Sequence, residues 1–396
     1  MPLTYCLNIH PGETWSENLA VLHGPVLAVR DLVSPGKSFP LGLRLSAAAA
    51  AELSEPTRLA DFAQFLKSEA LHVITVNAFP YGRFHGIPVK ENVYAPDWRT
   101  PLRRDYTNQI STILAGLIAE GEVASISTVP CSWKPWINAE SDIPLILDHL
   151  TSCVAHCATI EDRQKREIVL ALEPEPGCML ETTSETIAFF EEHLLKQGAV
   201  YLSAKLRIST DDARAFIRRH LGVCLDTCHV AIQFEDPLEA LRRYEAAGIR
   251  VPKVQLSSAL LTDASAAAID ALRPFAEPTY MHQVKAMKSN GEILSWNDLP
   301  QALAELPASN AREVRTHFHV PLHFTGFGAL KSTAALLTPE FLTYIKRNPK
   351  RHIEIETYTW DVLPTELRAA SVEESIAAEF HWVEASSRET ARAVPI

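Results

Sequence analysis

Residues 168–177 read Ile-Val-Leu-Ala-Leu-Glu-Pro-Glu-Pro-Gly, five apolar residues that run straight into Glu173 and a proline-rich turn. An unbroken apolar run of this length marks a strand buried on both faces, as in a parallel sheet, whereas a half-exposed hairpin would alternate. The carboxylate is left where the strand stops. Working outward, the same unit recurs: apolar, β-branched runs at 4–10, 41–46, 72–77, 123–129, 168–173, 221–226, 253–257 and 352–356 alternate with amphipathic stretches. In 56–69, Leu59, Phe62, Ala63 and Leu66 share a face behind an N-terminal proline; 105–120 carries Ile110, Ile113, Leu114 and Leu117 inward and stops at Gly121; a third helix opens at the Thr182-x-x-Glu185 capping box. Eight strands with helices between them predict a (β/α)8 TIM barrel, whose chemistry sits at the C-terminal strand ends. No strand is followed by G-x-G-x-x-G or a P-loop, which argues against a doubly wound sheet.

The connections are uneven. Residues 79–104 hold Pro80, Pro88, Pro96 and Pro101 among Tyr81, Arg83, His85, Lys90, Tyr94 and Trp98, too much proline for a helix, and predict a long loop over the site end. Residues 258–351, between strands seven and eight, are read as an insertion that contains two strand-like pieces, 279–284 and 314–321. All of 1–396 is expected to be one barrel domain. The alanine run 47–51 reads as a helix start.

With 47% hydrophobic and 21% charged residues the chain has material for a large core, and its net charge of −11 argues against a nucleic-acid-binding surface. Seven cysteines, an odd number whose close pairs are spaced C-x-x-x-C, exclude a redox C-x-x-C motif or zinc ribbon. The first residues, MPLTYCLNIHPGETW, lack a basic segment followed by an apolar run, and no stretch approaches ~18 uninterrupted apolar residues, so no transmembrane segment is expected and the cytoplasm is the default location.

Three acids end three of the last four strands. Glu173 closes strand five; Asp226 tips strand six in Val-Cys-Leu-Asp-Thr-Cys-His (223–229), with His229 three residues on; and strand eight reads His-Ile-Glu-Ile-Glu-Thr, where period-two geometry puts Glu354 and Glu356 on one face with Glu356 nearer the mouth. Singly, each acid could be a helix cap or an ion-pair partner. Together they would repel one another unless a divalent cation or shared protons lay between them. His10, His282, His317 and His319 are further candidate metal or substrate ligands, the last two on one strand face, and each has an ordinary structural reading as well. Arg44, Asn77 and Lys134 fall at or just past strand ends and suit an oxygen-rich substrate; Arg44 could equally support Glu354. Tyr81 and Trp133, with Trp98, Trp136 and Trp360, could wall a pocket.

At these residues the chain resembles a known superfamily. The Asp-Thr-Cys-His of 226–229 is similar to a motif of the endonuclease IV family, and Leu-Ala-Leu-Glu (170–173) and Ile-Glu-Thr (355–357) resemble its other metal-binding strands, all within the xylose-isomerase-like TIM-barrel superfamily of isomerases and epimerases. A resemblance covering nearly the whole chain is carried by Asn-Ile-His-Pro-Gly-Glu (8–13), Leu-Gly-Leu-Arg-Leu-Ser (41–46), Phe-Pro-Tyr-Gly-Arg-Phe-His (79–85), Ser-Ile-Ser-Thr-Val-Pro (125–130), Gln-Leu-Ser-Ser-Ala-Leu (255–260), His-Phe-His-Val-Pro-Leu (317–322) and Glu-Thr-Tyr-Thr-Trp-Asp-Val-Leu-Pro (356–364). These look like the EboE-type metabolite traffic proteins of the bacterial Ebo gene cluster.

The superfamily resemblance implies Glu173, Asp226 and Glu356 as metal ligands, with Gln255 standing where strand seven usually carries histidine. A neutral amide oxygen there favours Mn²⁺ or Mg²⁺, with zinc as the alternative. The early strand ends, Val-Asn-Ala-Phe and Ser-Thr-Val-Pro, lack the histidines of a trinuclear zinc nuclease. The implied activity is isomerase- or epimerase-like, on a small oxygenated metabolite, with Glu173 and Glu356 exchanging a proton and His229 holding a substrate oxygen or serving as a second metal ligand. The Ebo resemblance implies a role in trafficking or maturing a secondary metabolite, other Ebo-cluster proteins as partners, and a place at the inner face of the cytoplasmic membrane. The alternative from the same residues is a non-catalytic carrier or assembly factor for a membrane-associated enzyme.

Overall fold

The computed structural model describes residues 3–368 and 371–392. Seven strands, β1 (Leu3–Tyr5), β2 (Phe39–Arg44), β3 (Leu71–Asn77), β4 (Val123–Thr128), β5 (Glu167–Leu172), β6 (Leu221–Asp226) and β7 (Arg250–Leu256), are joined by an eighth at His352–Ile355 in one parallel sheet. That last strand lies between β1 and β7, and β2 and β1 form the two ends of the ladder. A parallel bridge from Cys6 to Gly42 and a bond from Thr4 Oγ1 to Pro40 O (2.8 Å) draw the ends together, so the barrel is nearly closed. Every residue of β4, β5 and β6 is buried, which is why these strands read as continuous apolar runs.

The outer ring forms where its signals lie. Pro56–Ser68 begins with proline in its first turn, and Thr182 and Glu185 make both bonds of the capping box ahead of Thr183–Phe189. Ser46 caps the alanine-rich helix Ala47–Leu53. The helix expected at 105–120 starts a turn earlier, at Pro101, and ends at Leu117. Strand one is shorter than the expected 4–10: after Tyr5 the chain turns into a tight helix at Leu7–Ile9, which aims Asn8 into the barrel mouth.

Between β7 and the eighth barrel strand the chain builds a second sheet: β8 (Ser258–Thr262), β9 (Val284–Lys288), β10 (Ile293–Trp296), β11 (Ala311–Val320) and β12 (Lys331–Ser332), after which the barrel strand His352–Ile355 is β13. The order is β10-β9-β11-β8-β12, antiparallel throughout. Only Ser257 separates β7 from β8, so the second sheet continues a barrel strand past the rim. Antiparallel pairing then brings β11 back, and Val320 lands opposite Ser258 at the rim. The second sheet has its own apolar cluster, including Leu260, Phe275, Val284, Trp296, Leu299 and Phe318. The piece expected as a strand at 279–284 is strand only from Val284, because the Glu277 carboxylate accepts from the amides of Thr279 and Tyr280 and holds a turn.

A candidate metal centre at the barrel mouth

Glu173, Asp226 and Glu356 come from three strand ends and converge: one carboxylate oxygen from each lies within 4.8 Å of the others, and all three side chains are buried. Asp226 also caps the short helix Thr227–Ile232, its Oδ1 accepting from the His229 amide (2.9 Å) and from Ser257 Oγ (2.8 Å). Glu356 Oε1 accepts from Asn8 Nδ2 (2.8 Å) and Asn77 Nδ2 (3.0 Å). Glu173 Oε2 and Asp226 Oδ2 are buried with no hydrogen-bond partner. Burial, followed by the charge of Asp226, pushes Glu173 well above the usual carboxylate range, and burial with the charges of Glu173 and Asp226 does the same to Glu356. Burial would also raise Asp226, but the neighbouring His229 and His319 and its hydrogen bonds outweigh it and hold this carboxyl low.

Three imidazoles abut this group. His229 Nε2 is 3.1 Å from His317 Nε2, which is 3.2 Å from His319 Nε2. One carboxylate oxygen of Asp226 and one nitrogen each of His229 and His319 also lie within 4.8 Å of one another. His317 and His319 share one face of β11 while Phe318 points the other way into the second sheet's core, as period two requires. The ladder between β11 and β8 is irregular between Thr316 and Val320, the stretch that aims both rings at the barrel.

The cavity over the carboxylates is lined by Asn8, Asn77, Glu173, Glu175, His229, His317, Glu356 and Tyr358, and roofed by Phe79, Phe84, Val89, Lys90 and Tyr94 of the proline-rich connection. Its space open to water centres is about 50 Å³, room for a few waters. The roof is strapped to the segment before β9. The Val89 amide donates to Thr279 O (2.7 Å), and Lys90 Nζ reaches Tyr280 O (2.7 Å) and Asp298 Oδ2 (2.7 Å).

Other candidates sit elsewhere. The Gln255 amide oxygen accepts from the Cys224 thiol (2.9 Å), below Ser257, the β7-end residue that bonds Asp226. Arg44 turns to Glu13 (3.1 Å) and not to Glu354, whose buried partner is Lys253 (2.6 Å). Lys134 is 44% exposed and pairs with Glu181 and Glu185 outside the cavity. His282 places Nδ1 on His317 O (2.8 Å) and Nε2 on Glu277 (2.8 Å), so both ring nitrogens are engaged. His10 bonds the Tyr5 hydroxyl (3.1 Å), and Tyr81 packs edge-on to Tyr106. Trp133 supports the site from behind, stacked on Tyr94 at 5.0 Å. Asn77 does reach the site, orienting Glu356.

Sequence reasoning missed Asn8, Glu175, Ser257 and Gln283. Glu175 was open to notice, two residues after Glu173 in the same turn; burial pushes its carboxyl up to about 8, with Tyr94 OH donating to it (2.8 Å).

A scan of family models and a search of curated sequences found no match to this chain. Among solved structures, a xylose isomerase domain protein from Planctomyces limnophilus shares 13% identity over 93% of this chain and 94% of its own, with a TM-score of 0.50. The IolI protein with a bound zinc atom (11% identity, 98% and 99% covered, TM-score 0.47) and the 3-keto-D-glucoside 4-epimerase YcjR from E. coli (12%, 97% and 99%, 0.45) are also similar. At such identities the likeness is one of fold: the chain is a TIM barrel, the fold of that xylose isomerase domain protein.

Proposed function

We propose that this chain is a metal-dependent isomerase- or epimerase-like enzyme acting on a small oxygenated metabolite. The observation that carries the reading is the convergence of Glu173, Asp226 and Glu356 at the mouth, with Glu173 Oε2 and Asp226 Oδ2 buried and unpartnered. Three carboxylates cannot ionise together in a buried site without a cation, so the residues present fit a divalent metal held by Glu173, Asp226 and Glu356. The all-oxygen set suits Mn²⁺ or Mg²⁺, with zinc as the alternative because imidazoles lie beside it. Bound there, the metal would polarise a substrate carbonyl and its neighbouring hydroxyl. Glu173 and Glu356, both raised by burial and like charge, are inclined to hold a proton and would exchange it on opposite faces of the substrate. Asn8 and Asn77 fix the orientation of Glu356.

The test is incorporation of solvent deuterium into aldoses, ketoses and keto acids by protein supplied with Mn²⁺. Exchange should occur with at least one substrate and fall by about 100-fold or more in Glu173→Gln and Glu356→Gln. Unchanged exchange in both variants would sink the reading.

One observation favours a second reading, a non-catalytic metabolite-binding or assembly factor: the strand-seven amide, Gln255, has its oxygen taken by Cys224. Saturable metabolite binding without proton exchange would support it. The motifs at 8–13, 41–46, 79–85 and 356–364 support assignment as an EboE-type protein that traffics or matures a secondary metabolite with other Ebo-cluster proteins. Three of these motifs interlock, Glu13 pairing with Arg44 and accepting from the Phe84 amide (3.0 Å).

A further inference from the structure

We propose that the metabolite bound at the carboxylates carries an uncharged, apolar arm, which runs from the barrel mouth into a separate cleft formed by the proline-rich strap itself. The inference rests on the reading of the mouth as the place where a metabolite binds, and it names the chemistry of that metabolite's far end.

The space directly over the acids is about 50 Å³, enough for a head of a few heavy atoms. A larger molecule must leave it in some direction, and the walls differ. Glu173, Glu175, His229, His317 and Glu356 line the barrel side, whereas the strap presents Phe79, Pro80, Phe84, Val89 and Val93. Phe84 also packs against Tyr280 (ring centroids 5.0 Å apart) and Tyr358 (5.4 Å), which touch each other at 5.3 Å. The far side of the cavity is therefore hydrocarbon and ring.

The strap's own polar groups are already spent. Tyr94 OH donates to Glu175 (2.8 Å) and accepts from Gln283 Nε2 (2.9 Å). Among the described residues Lys90 is the one lysine or arginine that lines the cavity, and its Nζ donates to Glu277 O (3.2 Å), Tyr280 O (2.7 Å) and Asp298 Oδ2 (2.7 Å). A phosphate or carboxylate on the arm would find no free cation there and buried acids below it. A methylene chain or a ring would meet apolar surface instead.

The strap also encloses a second cleft of about 230 Å³, lined wholly by residues from Pro80 to Ala95. Pro80, Phe84, Val89 and Val93 line both spaces, so a single layer of residues separates them. From that layer the cleft continues over Ile87, Pro88 and Ala95. Ile87 is 37% exposed, a large apolar side chain left open to water beside an apolar cleft. The one charged side chain in the cleft's lining, Arg83, has its Nε on His85 O (3.1 Å). An arm seated here would cover Ile87 and join the two apolar surfaces.

The experiment titrates full-length protein, supplied with Mn²⁺, with 1-hydroxy-2-alkanones from hydroxyacetone to 1-hydroxy-2-octanone, and with dihydroxyacetone phosphate as the charged probe, by calorimetry. Affinity should rise roughly three- to fourfold per added methylene, and the phosphate should bind more weakly than hydroxyacetone. Ile87→Asp should abolish the rise among the longest ketones, and Ile87→Met should keep it. A flat series, a rise unaltered in Ile87→Asp, or tighter binding of the phosphate would overturn the proposal. Solvent-deuterium exchange on the same samples separates this inference from the reading beneath it. Exchange into hydroxyacetone with a flat series would keep the enzyme and remove the arm. A rising series that Ile87→Asp abolishes, without exchange, would keep the arm on a protein that only binds. No binding by any ketone would remove both.

Discussion

Inside the barrel, Lys253 Nζ sits 2.6 Å from Glu354 with both side chains fully buried, and donates to Ser127 Oγ (3.1 Å). The Glu354 carboxylate needs Gly42 on β2, across β1 from it, where a Cβ would lie 1.8 Å from its Oε1. Removing one member of such a pair strands the other charge. Lys253→Met should cost about 3–5 kcal/mol in urea-monitored unfolding, and Lys253→Met with Glu354→Leu should recover most of it. A single variant as stable as wild type would show that the pair contributes nothing. In the sequence Arg44 reads as a substrate ligand or, alternatively, as the cation supporting Glu354, and Lys253 is not singled out. Arg44 stays buried but turns to Glu13, which the segment after β1 brings within its reach. Side-chain direction at a strand end depends on loops that period-two counting does not describe.

At the scale of elements, the strap over the cavity decides access. Lys90 ties it to Asp298 and Tyr280 O across the mouth, and the enclosed space holds only a few waters. Lifting this strap would widen the way into the cavity. Lys90→Met should raise amide hydrogen exchange in residues 79–94 and leave the barrel strands β4 to β6 protected; equal exchange in both proteins would mean that Val89 and the aromatic contacts hold it closed unaided. The barrel strands and their acidic tips were legible because buried parallel strands write themselves as apolar runs. The second sheet was not: β8 follows β7 after one residue with no turn residue between, and β12 spans only Lys331–Ser332. His317-x-His319 was readable as a pair on one face. Its meeting with His229 depends on β11 returning antiparallel to the rim, a tertiary fact that no local pattern encodes.

Over the whole molecule, burial shifts carboxylates and imidazoles in opposite directions. Glu175 is pushed up to about 8 and Glu379 to about 7, mainly by burial, and Glu173 and Glu356 are raised as well. Such groups favour the folded state fully below about pH 4, their unfolded range, and that contribution is lost as pH rises through their folded values. His10, His85 and His229, lowered to about 4 chiefly by burial, act the other way: their contribution is complete above about pH 6.5 and lost as pH falls. Above about pH 6.5 only the carboxylate effect remains, so metal-free protein should lose Tm between pH 6.5 and 8, and Mn²⁺ should flatten the decline by occupying Glu173 and Glu356. A Tm that rises over this range would contradict the assignment. The helix Ala139–Gln164 is long and apolar enough to cross a membrane by length and composition, yet 56% of its most apolar window is buried in the molecule, where it covers β5.

The single residue between β7 and β8 divides labour at the mouth. The oxygen donors Glu173, Asp226 and Glu356 belong to the cylinder, while His317 and His319 arrive from a neighbouring layer spliced in line with one of its staves. Substitutions in that layer can therefore reshape one side of the mouth while Glu173, Asp226 and Glu356 keep their places. Conversely, any bending of the outer layer is transmitted through Ser257 directly to Asp226, the carboxylate to which it donates its hydroxyl.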